Sequence, residues 1–420
     1  MTTADADCIV AGCGPAGAVL ALLLARAGVR VVVLEKHGDF LRDFRGDTIH
    51  PSTLEILDQL GLADRFLQLP HSRISRVEIS NAAGDGMSFE FTRLKSKFQF
   101  VAFVPQWDFL KFITAEARKY AAFTLLMNAE VTDLIIEEGV VRGVRYRAGG
   151  AEHELRAALT VGTDGRTSVT RERAGLPIVA TSPLMDVLWF RLSKKSDEEA
   201  ILGGRVGAGQ LAVLIDRREY WQVAYLIPKG EGDRVRARGL EEFKAQVVRL
   251  MPEMKDRVEE LTDWDQVKLL TVKSDRLTRW YRRGYVAIGD AAHAMSPVGG
   301  IGINIAIHDA VSAANILWEP LRNRSSGLSD LERIQEERET PVRIVQAFQT
   351  FIQNRLIGRF LNATVTPPIP VFFRILFKIP VVRDMPPRFV AFGVSRPRVQ
   401  TPRLAPRAAA IGADTILDNR

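Results

Sequence analysis

Residues 7–35 read DCIVAGCGPAGAVLALLLARAGVRVVVLE, and this stretch decides the fold. Residues 7–11 are short and apolar, 12–17 supply GCGPAG, 16–27 are small and aliphatic up to Gly28, and 31–35 are β-branched and end in Glu35. The order is strand, tight turn, helix, strand, one βαβ unit of about 30 residues. Gly12, Gly14 and Gly17 form G-x-G-x-x-G, with Pro15 and Ala16 opening the helix. The first glycine permits the turn, the second lets a pyrophosphate approach the backbone, and the third lets helix and strand pack closely. The helix N-terminus then faces the phosphate charge. Glu35 lies 18 residues beyond Gly17 at a strand end, followed by Lys36, and its carboxylate can accept hydrogen bonds from both hydroxyls of an adenosine ribose.

The chain has 420 residues, 46% hydrophobic and 25% charged, enough for two or three packed domains and against disorder. Its formal charge is +7, but residues 354–420 hold 11 basic and three acidic side chains, leaving 46 basic against 47 acidic in the rest. The excess belongs to the tail, where nine of the 20 prolines also lie. Cys8 and Cys13 cannot form a disulfide framework and resemble small buried hydrophobes of a reducing compartment. The acidic start (Asp5, Asp7) lacks the flank of a signal peptide, and no uninterrupted apolar run reaches about 18 residues. These features place the chain in the cytoplasm, soluble or at most peripheral to the inner face of a membrane.

Beyond the βαβ unit, the pattern predicts a helix at 51–60, alternating strands between 74 and 104, a helix at 108–120, and strands at 124–127, 131–137, 140–148 and 155–163. Strand-like runs return at 184–192, 210–216 and 221–228, with a polar helix at 240–250. A strand at 285–288 re-enters the first domain; Ser329 and Glu332 form a capping box for a long helix toward Ile357 that Pro341 kinks. The glycine-rich run 203–209 lacks a following apolar helix and reads as a flexible loop rather than a second nucleotide fingerprint. The expected fold is α/β: a Rossmann-like nucleotide-binding domain (1–75, 101–180 and 273–330), a mixed-sheet substrate domain (76–100 and 181–272), and a C-terminal helical extension with a basic, proline-rich tail (331–420).

The N-terminal fingerprint alone does not separate NAD from FAD, since both carry ADP. Two later strings do: DGRTSVTR at 164–171 after a strand, and GDAAHAMSPVGGIGIN at 289–304. In the second, Asp290 can hold a ribityl hydroxyl, Pro297 can wall a flavin, and the glycines opening a helix can present backbone amides to the pyrimidine end of the ring. Together these motifs resemble the FAD-dependent aromatic hydroxylases, the para-hydroxybenzoate hydroxylase-like single-component flavoprotein monooxygenases, over residues 5–350. The resemblance implies pyrophosphate contacts from Gly12, Gly14 and Gly17, a ribose contact from Glu35, a role for Asp164 toward FAD and the nicotinamide cofactor, and ribityl and ring contacts from Gly289, Asp290, Pro297, Gly299, Gly300, Gly302 and Asn304. It further aligns Arg45, ahead of TIHPSTLEIL, and Gln106, in VPQWDFL, with flavin-contacting residues.

The reaction so implied uses FAD, transient NADH or NADPH and dioxygen, and passes through a flavin hydroperoxide to hydroxylate an apolar, phenolic or polycyclic small molecule. The flavin supplies that chemistry; the protein must position substrate and exclude water. A base that ionises a phenol would help, and His50, Tyr220, Tyr225 and His293 are the candidates. No metal ligands are assigned. Phe98, Phe100, Phe103, Trp189, Trp221 and Tyr225 alternate on strand-like segments and are candidates to line the substrate cavity. Alternatives are a flavin reductase of isoprenoid or quinone-like double bonds, and a flavin halogenase, whose W-x-W-x-I-P signature is broken in WQVAYLIP at 221–228. Arginines interleaved with apolar residues in the tail argue against nucleic acid as a partner. The apolar run 368–382 suits peripheral contact with an anionic membrane or, as the favoured reading, packing on the enzyme or on a sister subunit in a homodimer.

Overall fold

The strand Ala6–Ala11 is apolar on both faces and forms the middle of a parallel sheet, the environment such strands require. It pairs with Val31–Leu34 on one side and Ala151–Gly162 on the other; Phe123–Leu126 and Tyr285–Ala287 extend the sheet outward, also in parallel. An antiparallel meander, Glu130–Glu137 with Val140–Ala148, is continuous with Ala151–Gly162. The helices Pro15–Arg26 and Gly302–Arg322 pack side by side on this sheet. Their approach is close enough that a Cβ on Gly289 would stand 3.1 Å from the Ala16 methyl and 3.2 Å from the Ala306 methyl. The computed structural model describes residues 5–41, 48–81, 85–181, 183–198, 202–366 and 379–405.

A second sheet of seven strands runs in the order Lys268–Leu270, Met185–Ser193, Tyr220–Pro228, Gln210–Asp216, Leu202–Gly207, Arg76–Asn81, Gly86–Glu90. It is antiparallel except where Leu202–Gly207 meets Arg76–Asn81. The glycine run expected as a loop is therefore largely a strand, turning only at its end. Glycine is used there for space: a Cβ on Gly204 would lie 3.2 Å from Ile79 Cγ1 on the paired strand. The sequence pattern missed the strand Thr48–Ile49, which joins Val101–Phe103 and Ser72–Ile74 in a small sheet, and the ribbon Ile178–Thr181 with Ser274–Leu277.

The helix Leu328–Ile352 starts one residue before the expected cap. The Gly327 amide donates to Asp330 Oδ2 at 2.9 Å, so that pair closes the first turn in place of Ser329 and Glu332. Five π-helical residues, Gln353–Ile357, and the short helix Gly358–Leu361 continue it. Residues 367–378, most of the apolar run considered for membrane contact, lie outside the described residues.

The tail that is described, a helix at Pro380–Phe392 and the segment 393–405, docks on the chain itself. Asn315 and Gln59 hold the backbone at Arg398, Val399 and Gln400 with bonds of 2.8–2.9 Å, and the Leu404 amide donates to the Arg26 carbonyl. Among the described residues one helix, Val298–Arg322, is long and apolar enough to cross a membrane, but 78% of its apolar window is buried inside the protein. A helix covered that way is a core helix.

Candidate functional site

One cavity of about 1690 Å³ lies between the two sheets. Ligand cavities for a single drug-sized molecule occupy ~300–1,000 Å³, so there is room for a large cofactor and a substrate together. At one end its wall carries Gly12, Gly14, Pro15, Ala16, Glu35, Lys36, Gln106, Asp164, Asp290, Pro297, Gly299, Gly300 and Gly302. The other end is the face of the seven-stranded sheet, with Ile79, Phe89, Val187, Trp189, Val213 and Leu226.

The three glycines of the first turn differ. Gly12 has φ +99°, and a Cβ there would lie 2.7 Å from the Thr163 carbonyl oxygen. At Gly17 a Cβ would drive into the Gly12 carbonyl and stand 2.6 Å from Thr163 Oγ1. Both are required by the fold, and Gly17 sits behind the cavity wall. Gly14 is neither crowded nor strained: φ is −74° and nothing lies within 4 Å of its Cβ position. The Cβ that Gly14 lacks would project into the cavity.

Two helices open onto this space without side-chain caps. Pro15–Arg26 begins at Gly14, and Gly302–Arg322 follows the turn Val298–Gly300, in which Gly299 and Gly300 have φ of 78° and 62°. Helix N-termini present amides and positive dipole ends, so each can receive anionic charge. Glu35, mostly buried, accepts from the Cys13 amide at 3.0 Å and the His37 amide at 3.1 Å, which fixes the carboxylate beside the glycine turn. Asp290 projects from the turn Gly289–Ala291, where Arg166 Nε donates to its Oδ2 at 3.2 Å. A dinucleotide with a flavin would fit this donor set, with Gly14 to receive its pyrophosphate, Glu35 its ribose, Asp290 its ribityl chain and Pro297–Gly302 its ring.

Three expected contacts have a different geometry. Asp164 lines the cavity, but its oxygens accept from the Ser168 and Thr170 hydroxyls and from the Thr170 amide, so it organises the DGRTSVTR turn. Asn304 is 2% exposed and lies off the cavity wall; its Oδ1 accepts from the His50 amide (3.0 Å) and Thr53 Oγ1 (2.7 Å), and its Nδ2 donates to the Thr48 carbonyl. It positions the 48–53 turn. Gly289 is also behind the wall, its amide donating to Asp309 Oδ2 at 3.0 Å. Arg45 lies outside the described residues. Ser168 Oγ caps the helix Val169–Arg173 through the Arg171 amide at 3.0 Å, so Ser168→Ala is expected to cost about 1–2 kcal/mol in urea unfolding.

Of the four candidate bases, His50 alone lines the cavity. Its Nδ1 is 2.7 Å from the Val390 carbonyl, which can only accept, so the hydrogen is on Nδ1 and Nε2 keeps a lone pair. Burial pushes its pKa down to about 4, against a smaller upward pull from that bond, so the ring is neutral at physiological pH. His293 is buried with Nε2 2.5 Å from Asp309 Oδ2, within the core. Tyr220 lies under the Arg191 guanidinium, 4.9 Å from ring centroid to Cζ, and is off the cavity wall. Tyr225 packs edge-on against Phe243 on the far face of its strand, and burial drives its phenol pKa upward.

The same alternation corrects the aromatic lining. In Tyr220–Pro228 the side chains of Gln222, Ala224 and Leu226 face the cavity, whereas Trp221, Val223 and Tyr225 pack on the helix Leu240–Leu250. Phe98 and Phe100 belong to the core beneath the first sheet. Phe103 and Trp189 do line the cavity, joined by Phe89 and Phe91.

A family model, the FAD binding domain, matches residues 5–347. The chain belongs to the FAD-binding-domain family. It is therefore an FAD-dependent oxidoreductase of the aromatic hydroxylase kind, as the motifs led us to expect. This flavoprotein is 30% identical over 406 residues to 6-methylpretetramide 4-monooxygenase of Streptomyces rimosus, covering 95% of each chain. It is 29% identical over 332 residues to rifampicin monooxygenase of Streptomyces venezuelae, covering 74% of this flavoprotein and 63% of that enzyme. It is 25% identical over 342 residues to para-nitrophenol 4-monooxygenase of a Pseudomonas species, covering 78% and 81%. Solved structures share the fold: PqsL of Pseudomonas aeruginosa, a probable FAD-dependent monooxygenase, has a TM-score of 0.72 at 22% identity, covering 85% of this chain and 97% of that one. The flavin-dependent brominase Bmp2 has a TM-score of 0.73 at 18% identity, covering 92% and 93%.

Proposed function

We propose that this flavoprotein is an NAD(P)H- and dioxygen-dependent monooxygenase that hydroxylates a polycyclic, phenolic small molecule. One observation carries the reading: a single cavity joins the phosphate-cradling turns to a broad apolar sheet face, so cofactor and substrate can share one continuous cleft. Support comes from the full-length similarity to an enzyme named for 6-methylpretetramide. When bound, FAD supplies redox chemistry with the nicotinamide and activation of dioxygen.

The chain's own residues bind, orient and keep the site dry. Gly14, Glu35 and Asp290 hold the cofactor; the wall from Ile79 to Leu226 excludes water from the ring to be hydroxylated. His50 offers a neutral acceptor, able to orient a hydroxyl without introducing charge. The two buried free cysteines suit a cytoplasmic enzyme. The described part of the tail docks on its own chain.

The test is a screen of phenolic, quinone-like and polyketide-like compounds for stimulated NAD(P)H oxidation, followed by mass analysis of the product. A gain of one oxygen atom is expected. Reduction of a double bond, with turnover unchanged under anaerobic conditions, would replace the hydroxylase reading with a reductase.

A further inference from the structure

Wall residues that are themselves solvent-exposed mark where the cavity opens. One such set, Leu269, Thr271, Lys273, Phe351, Arg355 and Arg359, comes from two segments, 269–273 and 351–359. Both are tied to the Pro297–Gly302 turn. Gln349 Nε2 donates to the Ser296 and Val298 carbonyls at 2.9 Å, and Gln346 Nε2, one helical turn earlier, donates to the Asp275 carbonyl at 3.0 Å. Past Gln349 the chain continues over the seven-stranded sheet, where Ile352, Ile357 and Leu361 pack on its cavity face. Arg355 and Arg359 follow Gln349 by six and ten residues, about 9 and 15 Å of helix rise, and Phe351, 59% exposed, precedes them. A row of groups thus leads from solvent toward the turn.

Charge on the wall is segregated. Among the described residues its acids are Glu35, Glu130, Asp164 and Asp290, all at the cofactor end, Glu130 by way of Ala129, whose amide donates to the Glu35 carbonyl. The Lys273, Arg355 and Arg359 side chains make no ion pair or hydrogen bond among the described residues. Cations spread along an opening complement an extended polyanion better than a single carboxylate, and phosphates form charge-assisted hydrogen bonds with both arginine and lysine. The glycine run 203–209 is largely strand, so it offers no second phosphate-binding turn for another dinucleotide. We propose that Lys273, Arg355 and Arg359 dock the phosphates of the reducing nicotinamide dinucleotide. A pyrophosphate alone leaves a cation over, so the set favours the form with an additional 2′-phosphate, NADPH. Phe351 presents an aromatic face on which a base can stack. This rests on the NAD(P)H-dependent reading and names the docking site and the preferred coenzyme within it. An opening beside the Pro297–Gly302 turn suits a molecule that arrives and departs in each turnover.

The test is calorimetric titration of the FAD-loaded full chain with NADP+ and NAD+, which bind without reacting. The wild type should bind NADP+ at least about tenfold more tightly than NAD+, the effect of one charge-assisted phosphate contact, and that affinity should fall as salt is raised. The double variant Arg355→Gln, Arg359→Gln should weaken NADP+ at least about tenfold and bring it level with NAD+. If the double variant does not fold, Lys273→Gln serves instead, with weaker NADP+ binding expected. Arg388→Gln removes an exposed charge that is off the wall and should change neither affinity. Anthraquinone-2-carboxylate, titrated alongside, should bind wild type and double variant alike. NAD+ bound by the wild type as tightly as NADP+, unchanged NADP+ affinity in the variants, or a loss confined to the anthraquinone carboxylate would overturn the proposal. The monooxygenase reading is judged apart, by reducing the flavin with dithionite and admitting dioxygen with a phenolic substrate. That turnover needs no nicotinamide, so a product that gains oxygen upholds the reading whatever the titrations show.

Discussion

A Gly14→Val enzyme is expected to fold normally and to purify without its yellow colour. The Cβ of residue 14 would meet no protein atom within 4 Å, and φ of −74° suits any residue, so the polypeptide has no need of glycine there. The need would be the ligand's: a branched side chain would fill the space before the uncapped start of the helix Pro15–Arg26, where a pyrophosphate would sit. An overpacking penalty of about 3 kcal/mol corresponds to a loss of roughly 100-fold in FAD affinity. Gly17→Val is the control with the opposite signature, since its side chain collides with the Gly12 carbonyl and Thr163 and should prevent folding. Circular dichroism with flavin-fluorescence titration separates the two. A Gly14→Val protein that keeps its flavin contradicts the assignment of the cradle.

Asp309→Asn should cost about 3–5 kcal/mol of stability and loosen the flavin site as well. Asp309 is fully buried and accepts from Arg338 Nε at 2.8 Å, His293 Nε2 at 2.5 Å and the Gly289 amide at 3.0 Å. Arg338, 1% exposed, also donates to Ser395 Oγ at 2.6 Å, so one carboxylate ties the core helix to the Leu328–Ile352 helix, the docked tail and the turn that carries Asp290. Removing its charge leaves a buried guanidinium uncompensated. Burial opposes ionisation of Asp309, but His293 and Arg338 outweigh it and hold the pKa down to about 2. A carboxylate whose folded pKa lies below the unfolded value of about 3.9 stabilises above that value and loses its contribution as pH falls toward 2. The gap between wild type and Asp309→Asn in urea unfolding should therefore narrow as pH falls between about 4 and 2. A gap under about 1 kcal/mol, or one that widens on acidification, would count against this account.

The parts of this fold that local chemistry specifies were legible in the sequence. The βαβ unit follows from glycine spacing and a β-branched strand, and GDAAHAMSPVGGIGIN follows from a strand running through glycine turns into a helix. What depends on a partner element was not legible. Gly204 reads as loop chemistry until Ile79 is known to lie beside it, and Trp221 and Tyr225 read as cavity lining until the helix around Phe243 claims their face. Strand period reveals that two faces exist, not which is which. Asn304 follows the same rule: its position in the motif is conspicuous, but its amide serves His50, Thr53 and Thr48 from 250 residues away in the chain.

The origin of the oxygen atom tests the central claim most directly. With the compound that most stimulates NAD(P)H oxidation, turnover under isotopically heavy dioxygen should place one heavy oxygen atom in the product. Product formed at the same rate without dioxygen, or carrying oxygen drawn from water, would contradict a flavin-dependent monooxygenase.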